Sequence, residues 1–122
     1  MTNPFRDSEK FMIACGQTVG EENVNQYKLY LDLINEEVQE LKDSTMPADD
    51  LDALVDILVV TMGAINSMGA DGEGAWREVM STNFAKIDKV TGKVRKREDG
   101  KVLKPEGWTA PDLRKYLHRN HQ

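Results

Sequence analysis

Apolar residues in the middle of the chain recur every three or four positions. Tyr27, Leu31, Ile34, Val38 and Leu41 fall on one stripe of a helix at about 100° per residue. Asn23 is placed to cap that helix, which the pattern carries to about Asp43. A helix over Ala48 to Met68 follows, with Pro47 at its start. Its second half, Ile57 to Ile65, is apolar nearly all round, which predicts a buried central element. Before these, Ser8 is placed to cap a first helix over roughly Glu9 to Gln17, with Phe11, Met12, Ala14 and Cys15 on its apolar side. Gly69-Ala70-Asp71-Gly72 stops the third helix. A fourth is predicted from about Glu73 to Ile87, with Trp76, Val79, Met80 and Phe84 inward. Short β-branched segments around Gly92 and the Asp99-Gly100 turn predict a hairpin. Asp112 is placed to cap a last short helix through Leu117, and residues 118–122 read as a frayed tail. The expected fold is all-α: a four- to five-helix bundle with a short C-terminal β-hairpin. It forms one domain over 1–122, with core helices about 8–87 and hairpin and tail about 88–122.

Composition narrows the class. Hydrophobic residues make up 39% and charged residues 30% of the 122, enough for one modest core. The net charge of −5 argues against a dedicated nucleic-acid surface. The apolar run Ile57 to Ile65 falls far short of the roughly 20 residues a bilayer span needs, so no membrane is expected. The opening residues Met1 to Arg6 lack the apolar core of a signal peptide. The single cysteine, Cys15, has no internal partner and is expected to be a buried apolar residue. A reducing cytoplasm is the expected compartment.

The second helix carries Glu36, Glu37 and Glu40 within one turn. Residues three and four apart share a face, so Glu40 neighbours both of the others. The residues alone leave two readings open. One is a solvated acidic face; the other is a nest of oxygen ligands for Mg²⁺ or Mn²⁺. The third helix opens with Asp49, Asp50 and Asp52, and Asp56 follows beside the apolar run. An ionised carboxylate there is costly unless it meets a cation or hydrogen-bond donors. Either Asp56 bonds a backbone amide or a lysine, or it faces the glutamates across an antiparallel helix pair. The fourth helix adds Asn83 and Lys86 on one face. Lys89, Lys93, Arg95, Lys96, Arg97, Lys101 and Lys104 crowd the expected hairpin. One basic segment in an acidic protein suits a polyphosphate ligand or a solvated loop.

Glu36-Glu37-x-x-Glu40, followed by Asp52-Ala-Leu-Val-Asp56 and by Glu78-Val-Met-Ser-Thr-Asn83-Phe-Ala-Lys86, resembles the all-α nucleoside triphosphate pyrophosphohydrolases. This is the MazG-like superfamily, which also includes phosphoribosyl-ATP pyrophosphohydrolase and dimeric dUTPases. The tail Arg97 to Pro105 is similar to the lysine-rich ending of its small phage and bacterial members. The resemblance implies metal-dependent hydrolysis of a nucleoside triphosphate between its α and β phosphates, giving monophosphate and pyrophosphate. It implies metal binding by Glu36, Glu37, Glu40 and Asp56, and on the order of two or three Mg²⁺ or Mn²⁺ ions per site. Glu36 or Glu37 would orient or deprotonate the attacking water. Asn83 and Lys86 match positions that contact the nucleotide, and Lys101 and Lys104 lie in the lysine-rich ending. Phe11, Ile13 and Gln17 are expected to build the base pocket. Where the usual motif has glutamate three residues before Asp56, this chain has Ala53, and Asp52 is the substitute ligand.

The expected substrate is a purine deoxynucleotide such as dGTP, in control of the nucleotide pool. Phosphoribosyl-ATP and dUTP are the alternatives within the superfamily. From another class, the rival is a non-catalytic acidic helical module that binds a basic partner. Both the resemblance and the apolar third helix imply an oligomer, a dimer at least and a tetramer of two dimers as the expectation.

Overall fold

A computed structural model describes residues 3–118. Its regular structure is helical: α1 over Pro4–Ala14, α2 over Val24–Asp43, α3 over Pro47–Ser67, α4 over Gly72–Phe84, and a single 3-10 turn at Arg114–Tyr116. The chain forms two compact units. Of the described residues, those up to Gly72 together with Tyr116 to His118 make the first, and Glu73–Lys115 make the second.

In the first unit α2 and α1 both pack on α3. The caps explain the helix starts. Asn23 is extended and its side chain accepts the Gln26 N–H at 3.1 Å, as expected for α2. α1 begins five residues before the expected Glu9. Asn3 caps it by accepting the Phe5 N–H at 2.9 Å, and Pro4 takes the first helical position, where a missing N–H costs nothing. Ser8, expected as the cap, is instead buried inside α1, and Asn66 donates to its hydroxyl at 3.3 Å. Cys15 ends α1 and is exposed, not buried. Gly69 ends α3 at φ +76, and a Cβ there would stand 2.9 Å from the Glu21 and Glu22 backbone.

The core of this unit is Met12, Tyr30 and Ala64, with Val19, Tyr27, Leu33, Ile34 and Val60 against it. Tyr30 lies over Gly63, where a Cβ would be 2.2 Å from the ring, so only glycine admits the tyrosine at that crossing. A polar network closes the end of the unit. Gln26 donates to the Thr18 carbonyl and the Ser67 hydroxyl, and Ser67 donates to the Gly63 carbonyl at 2.7 Å. Each buried group there finds a partner, which fixes how α2 seats on α3.

Two expectations about burial change. The packed side of α2 runs through Tyr27, Tyr30, Ile34, Glu37, Val38 and Leu41, while Leu31 points outward. On α3, Gly63, Ala64, Asn66 and Ser67 are buried, but Leu58 is 62% exposed, and Leu51, Leu54, Val55 and Val59 are exposed with it. The apolar run is therefore buried at its C-terminal end and open along its outer side.

The second unit holds α4 and the irregular chain after it. The expected hairpin is absent: this unit has no strand among its described residues, only two isolated antiparallel bridges, Ile87 with Val94 and Lys96 with Val102. These close two turns, built on Asp88 and on Asp99. The segment is too charged to bury one face, and its Val90 is 95% exposed. Trp76 and Phe84, expected inward, are 58% and 61% exposed. Among the described residues this unit has no second α-helix to cover them. The short helix expected after Asp112 is only the 3-10 turn, with Asp112 accepting the Arg114 N–H at 3.1 Å. The expected frayed tail lies outside the described residues beyond His118.

Candidate active site

The α2 stripe places Glu37 seven residues after Tyr30, on the side that packs against α3. The loop Ser44–Met46 turns the chain back, and α3 returns along α2 with Ala53 and Asp56 on its inner line. Ala53 is only 4% exposed, so the position where the motif it resembles has glutamate is filled by a small, buried side chain. Asp52, one residue earlier, is exposed at the rim.

Glu37 is the anomaly of this unit. Its Oε2 is sealed from solvent and has no hydrogen-bond partner. Desolvation pushes its carboxyl above the usual range, and a hydrogen bond with Glu40 adds to the rise. The charges of Glu40, Asp56 and Asp52 push it the same way. Four carboxylates from two helices thus share one electrostatic neighbourhood, and among the described residues no cationic side chain lowers the Glu37 carboxyl in return. Glu36 lies on the exposed side of α2. Among the described residues, no three His, Cys, Asp or Glu side chains are gathered closely enough to enclose an ion as they stand. The donor set is all-oxygen and acidic, the chemistry that hard divalent cations take, and the orphaned Glu37 oxygen supplies an unused lone-pair site.

The remaining expected residues divide between the units. In the first, Phe11 and Ile13 are mostly exposed, and Gln17 accepts a hydrogen bond from the Tyr30 hydroxyl. That bond ties Gln17 to the core, a role its polar context in sequence did not reveal. In the second, Asn83 accepts from Lys86 Nζ at 3.2 Å, so the pair expected from their spacing does meet. Lys101 sits in the Asp99 turn, its N–H donating to Asp99 at 3.1 Å, with its side chain exposed. Lys104 Nζ lies 5.0 Å from the centre of the Trp108 ring and Lys86 Nζ 5.1 Å from it. Trp108 was not singled out by the sequence. The available signal was a lone aromatic four residues after Lys104 in an otherwise polar, proline-bearing stretch.

A cavity of about 790 Å³ opens in the second unit, lined by Phe84, Ile87, Asp88, Pro105 and Trp108 among others. None of the carboxylates of α2 and α3 lines it.

Residues 17–83 match the family described as phosphoribosyl-ATP pyrophosphohydrolase, a match that spans both acidic helices and Asn83. No curated protein matches the chain.

Proposed function

We propose that this chain, which belongs to the phosphoribosyl-ATP pyrophosphohydrolase family within the MazG-like superfamily, hydrolyses a nucleoside triphosphate between its α and β phosphates. The family is one of pyrophosphohydrolases; the substrate assigned here is a purine (deoxy)nucleoside triphosphate such as dGTP. The observation that carries the reading is the sealed, unpartnered Glu37 oxygen among Glu40, Asp52 and Asp56. Such a carboxylate wants a proton or a cation, and a phosphate substrate arrives with divalent cations.

In this reading Glu37, Glu40, Asp56 and Asp52 hold Mg²⁺ or Mn²⁺, and Asp52 takes the place that Ala53 leaves empty. When bound, the metal neutralises phosphate charge and acidifies a water near neutral pH. The side chains of α2 do the rest. Glu36 or Glu37 orients the water and accepts its proton as the water oxygen attacks the α-phosphorus. The bond to the bridging oxygen breaks, and pyrophosphate leaves. No protein nucleophile takes part. Asn83 and Lys86 contact the nucleotide. The open apolar side of α3, with Leu51, Leu54, Val55 and Leu58, supports a working oligomer of at least two copies, and a tetramer is the assembly proposed.

Phosphoribosyl-ATP is the second substrate reading, favoured by the family match itself. It undergoes the same bond cleavage. Phosphorus NMR of the products, over a panel of NTPs, dNTPs and phosphoribosyl-ATP with Mg²⁺, separates the readings. Monophosphate plus pyrophosphate from a purine triphosphate supports the first. Turnover of phosphoribosyl-ATP alone selects the second. Orthophosphate release, or no turnover of any member by folded protein, rejects the reaction.

A further inference from the structure

We propose that the returning segment 105–116 is a strap that keeps α4 folded, and that strap and α4 open together as one local unit while the core of α1–α3 stays closed. α4 needs such support. It has 13 residues, a length at which a helix by itself is marginal in water, and Gly72 and Gly74 lower its propensity further. Among the described residues it is the one α-helix of its unit, and its Trp76 and Phe84 are largely exposed rather than packed. The family match over 17–83 ends in the last turn of α4, so the segment that returns along the helix lies beyond that match.

The segment runs back antiparallel to α4 and meets it at successive points. At the end of the helix the Lys86 N–H turns to the Asn83 carbonyl at 3.0 Å, which leaves the Thr82 carbonyl without its helical donor. The Trp108 indole N–H takes that carbonyl at 2.6 Å. Further along the segment, Lys115 Nζ pairs with Glu78 at 3.9 Å. Tyr116 follows, and its carbonyl accepts the N–H of Asp71, the residue before α4, at 2.8 Å. These ties are polar, and the exposed ion pair is the weakest of them. The seam is not filled: residues 105–109 line the same cavity of about 790 Å³ as Ser81, Thr82, Phe84 and Ala85. An element held by a few polar ties across an open seam belongs to the low end of local stability. The first unit differs, because Tyr30 and Ala64 meet there in a packed core.

What the strap governs in the reaction rests on the hydrolase reading, in which Asn83 in the last turn of α4 contacts the nucleotide. A bound nucleotide then draws on the closed form alone. Saturating α,β-methylene-dGTP with Mg²⁺, which cannot be cleaved at that bridge, should slow exchange of the α4 amides and of the Trp108 indole N–H by the same factor. No slowing anywhere, in a protein whose metal-free exchange shows the strap, rejects the nucleotide reading and keeps the strap. Slowing of α4 without a common opening of α4 and the indole does the reverse.

The strap itself is tested by hydrogen exchange, followed by NMR, on the full metal-free chain. The Trp108 indole N–H reports the strap, and the backbone amides of residues 76–84 report α4. After correction for intrinsic rates, both should open with one common free energy, lower than that of the α3 amides. Trp108→Phe keeps an aromatic ring and removes the indole donor. It should speed the α4 amides about three- to tenfold, the worth of one hydrogen bond. Tyr30→Phe removes the hydroxyl bonded to Gln17 in the first unit. It should speed α3 and leave α4 and the indole as they were, because that bond survives in the locally open state. If either variant fails to fold, the wild-type comparison decides. Protection of α4 equal to that of α3, α4 exchange unchanged in Trp108→Phe, or equal acceleration of α3 and α4 by Tyr30→Phe overturns the strap.

Discussion

The carboxylates of the first unit and those of the second differ in what stands against them. Glu37 has desolvation and three acidic neighbours, and one of its oxygens has no donor at all. Asp88 accepts two backbone N–H groups, and Asp99 and Asp112 each pair with an arginine two residues away. Accordingly Glu37 is pushed up, while Asp88, Asp99 and Asp112 are pulled below the usual carboxylate range. The second group is complete: its charges close turns. The first is incomplete, and an unsatisfied ionisable cluster on packed helices is where a ligand contributes most.

The sharpest way to break this contrast is Glu37→Gln. Turnover should fall at least about 100-fold, while the metal-free protein melts higher than wild type, since the variant removes a carboxylate that the fold opposes. Asp99→Asn in the second unit should leave turnover nearly unchanged. Loss of both rate and metal-free stability in Glu37→Gln would mean that the residue is merely structural.

Metal should act on one unit only. At roughly a hundred times its Kd, Mg²⁺ should stabilise wild type by about 2.7 kcal/mol, seen as a rise of several degrees in Tm. The same addition should leave Glu37→Gln almost where it was. Equal stabilisation of both proteins would place the ion elsewhere.

The contrast also depends on how α2 seats on α3, because that seating turns Glu37 inward. Gly63→Ala puts a methyl into the Tyr30 ring and should cost about 1–3 kcal/mol by chemical denaturation. Activity per folded molecule should drop with it, since Glu37 lies two turns along the same stripe. An unchanged midpoint would show that Tyr30 yields freely.

The smallest effect is in pH, and its sign differs between the groups. Glu37 in the folded chain holds its proton more tightly than its ordinary value of 4.5, so its contribution is full below that pH and is lost as pH rises through the folded value. Asp88 behaves oppositely: its contribution is present above its ordinary value of 3.8 and is lost as pH falls through its depressed folded value. Melting curves of metal-free protein across the acid range should therefore flatten on the high side in Glu37→Gln and on the low side in Asp88→Asn. Matching changes in both variants would remove the distinction.

Much of this was legible in the residues. Asn23, Pro47 and Gly69 mark α2 and α3 because caps and breakers act locally, and the two helices between them are long and periodic. Placing Asp56 opposite the glutamates needed only a short loop between them. What failed was decided by tertiary context. A stripe through Leu31 and one through Tyr30 are both periodic; the ring's fit over Gly63 chose the second. Asn3-Pro4 is a good helix start, but Ser8 offered a competing one. Val90, Val94 and Val102 carry strand propensity, yet too little apolar surface surrounds them to extend the isolated bridges of Val94 and Val102 into strands. Trp108 offered only its place as a lone aromatic after Lys104, since its other partners arrive from residues 82 and 86.

In the proposed reaction the crowded carboxylates of α2 and α3 become a working site with a divalent cation. The most direct measurement is the rate of pyrophosphate release from the preferred substrate, with Mg²⁺, with Mn²⁺ and with EDTA, for wild type beside Glu37→Gln. Wild type should release it with either metal and not in EDTA, and the variant should release none above background in any condition. Release that persists in EDTA, or that survives Glu37→Gln, would contradict it.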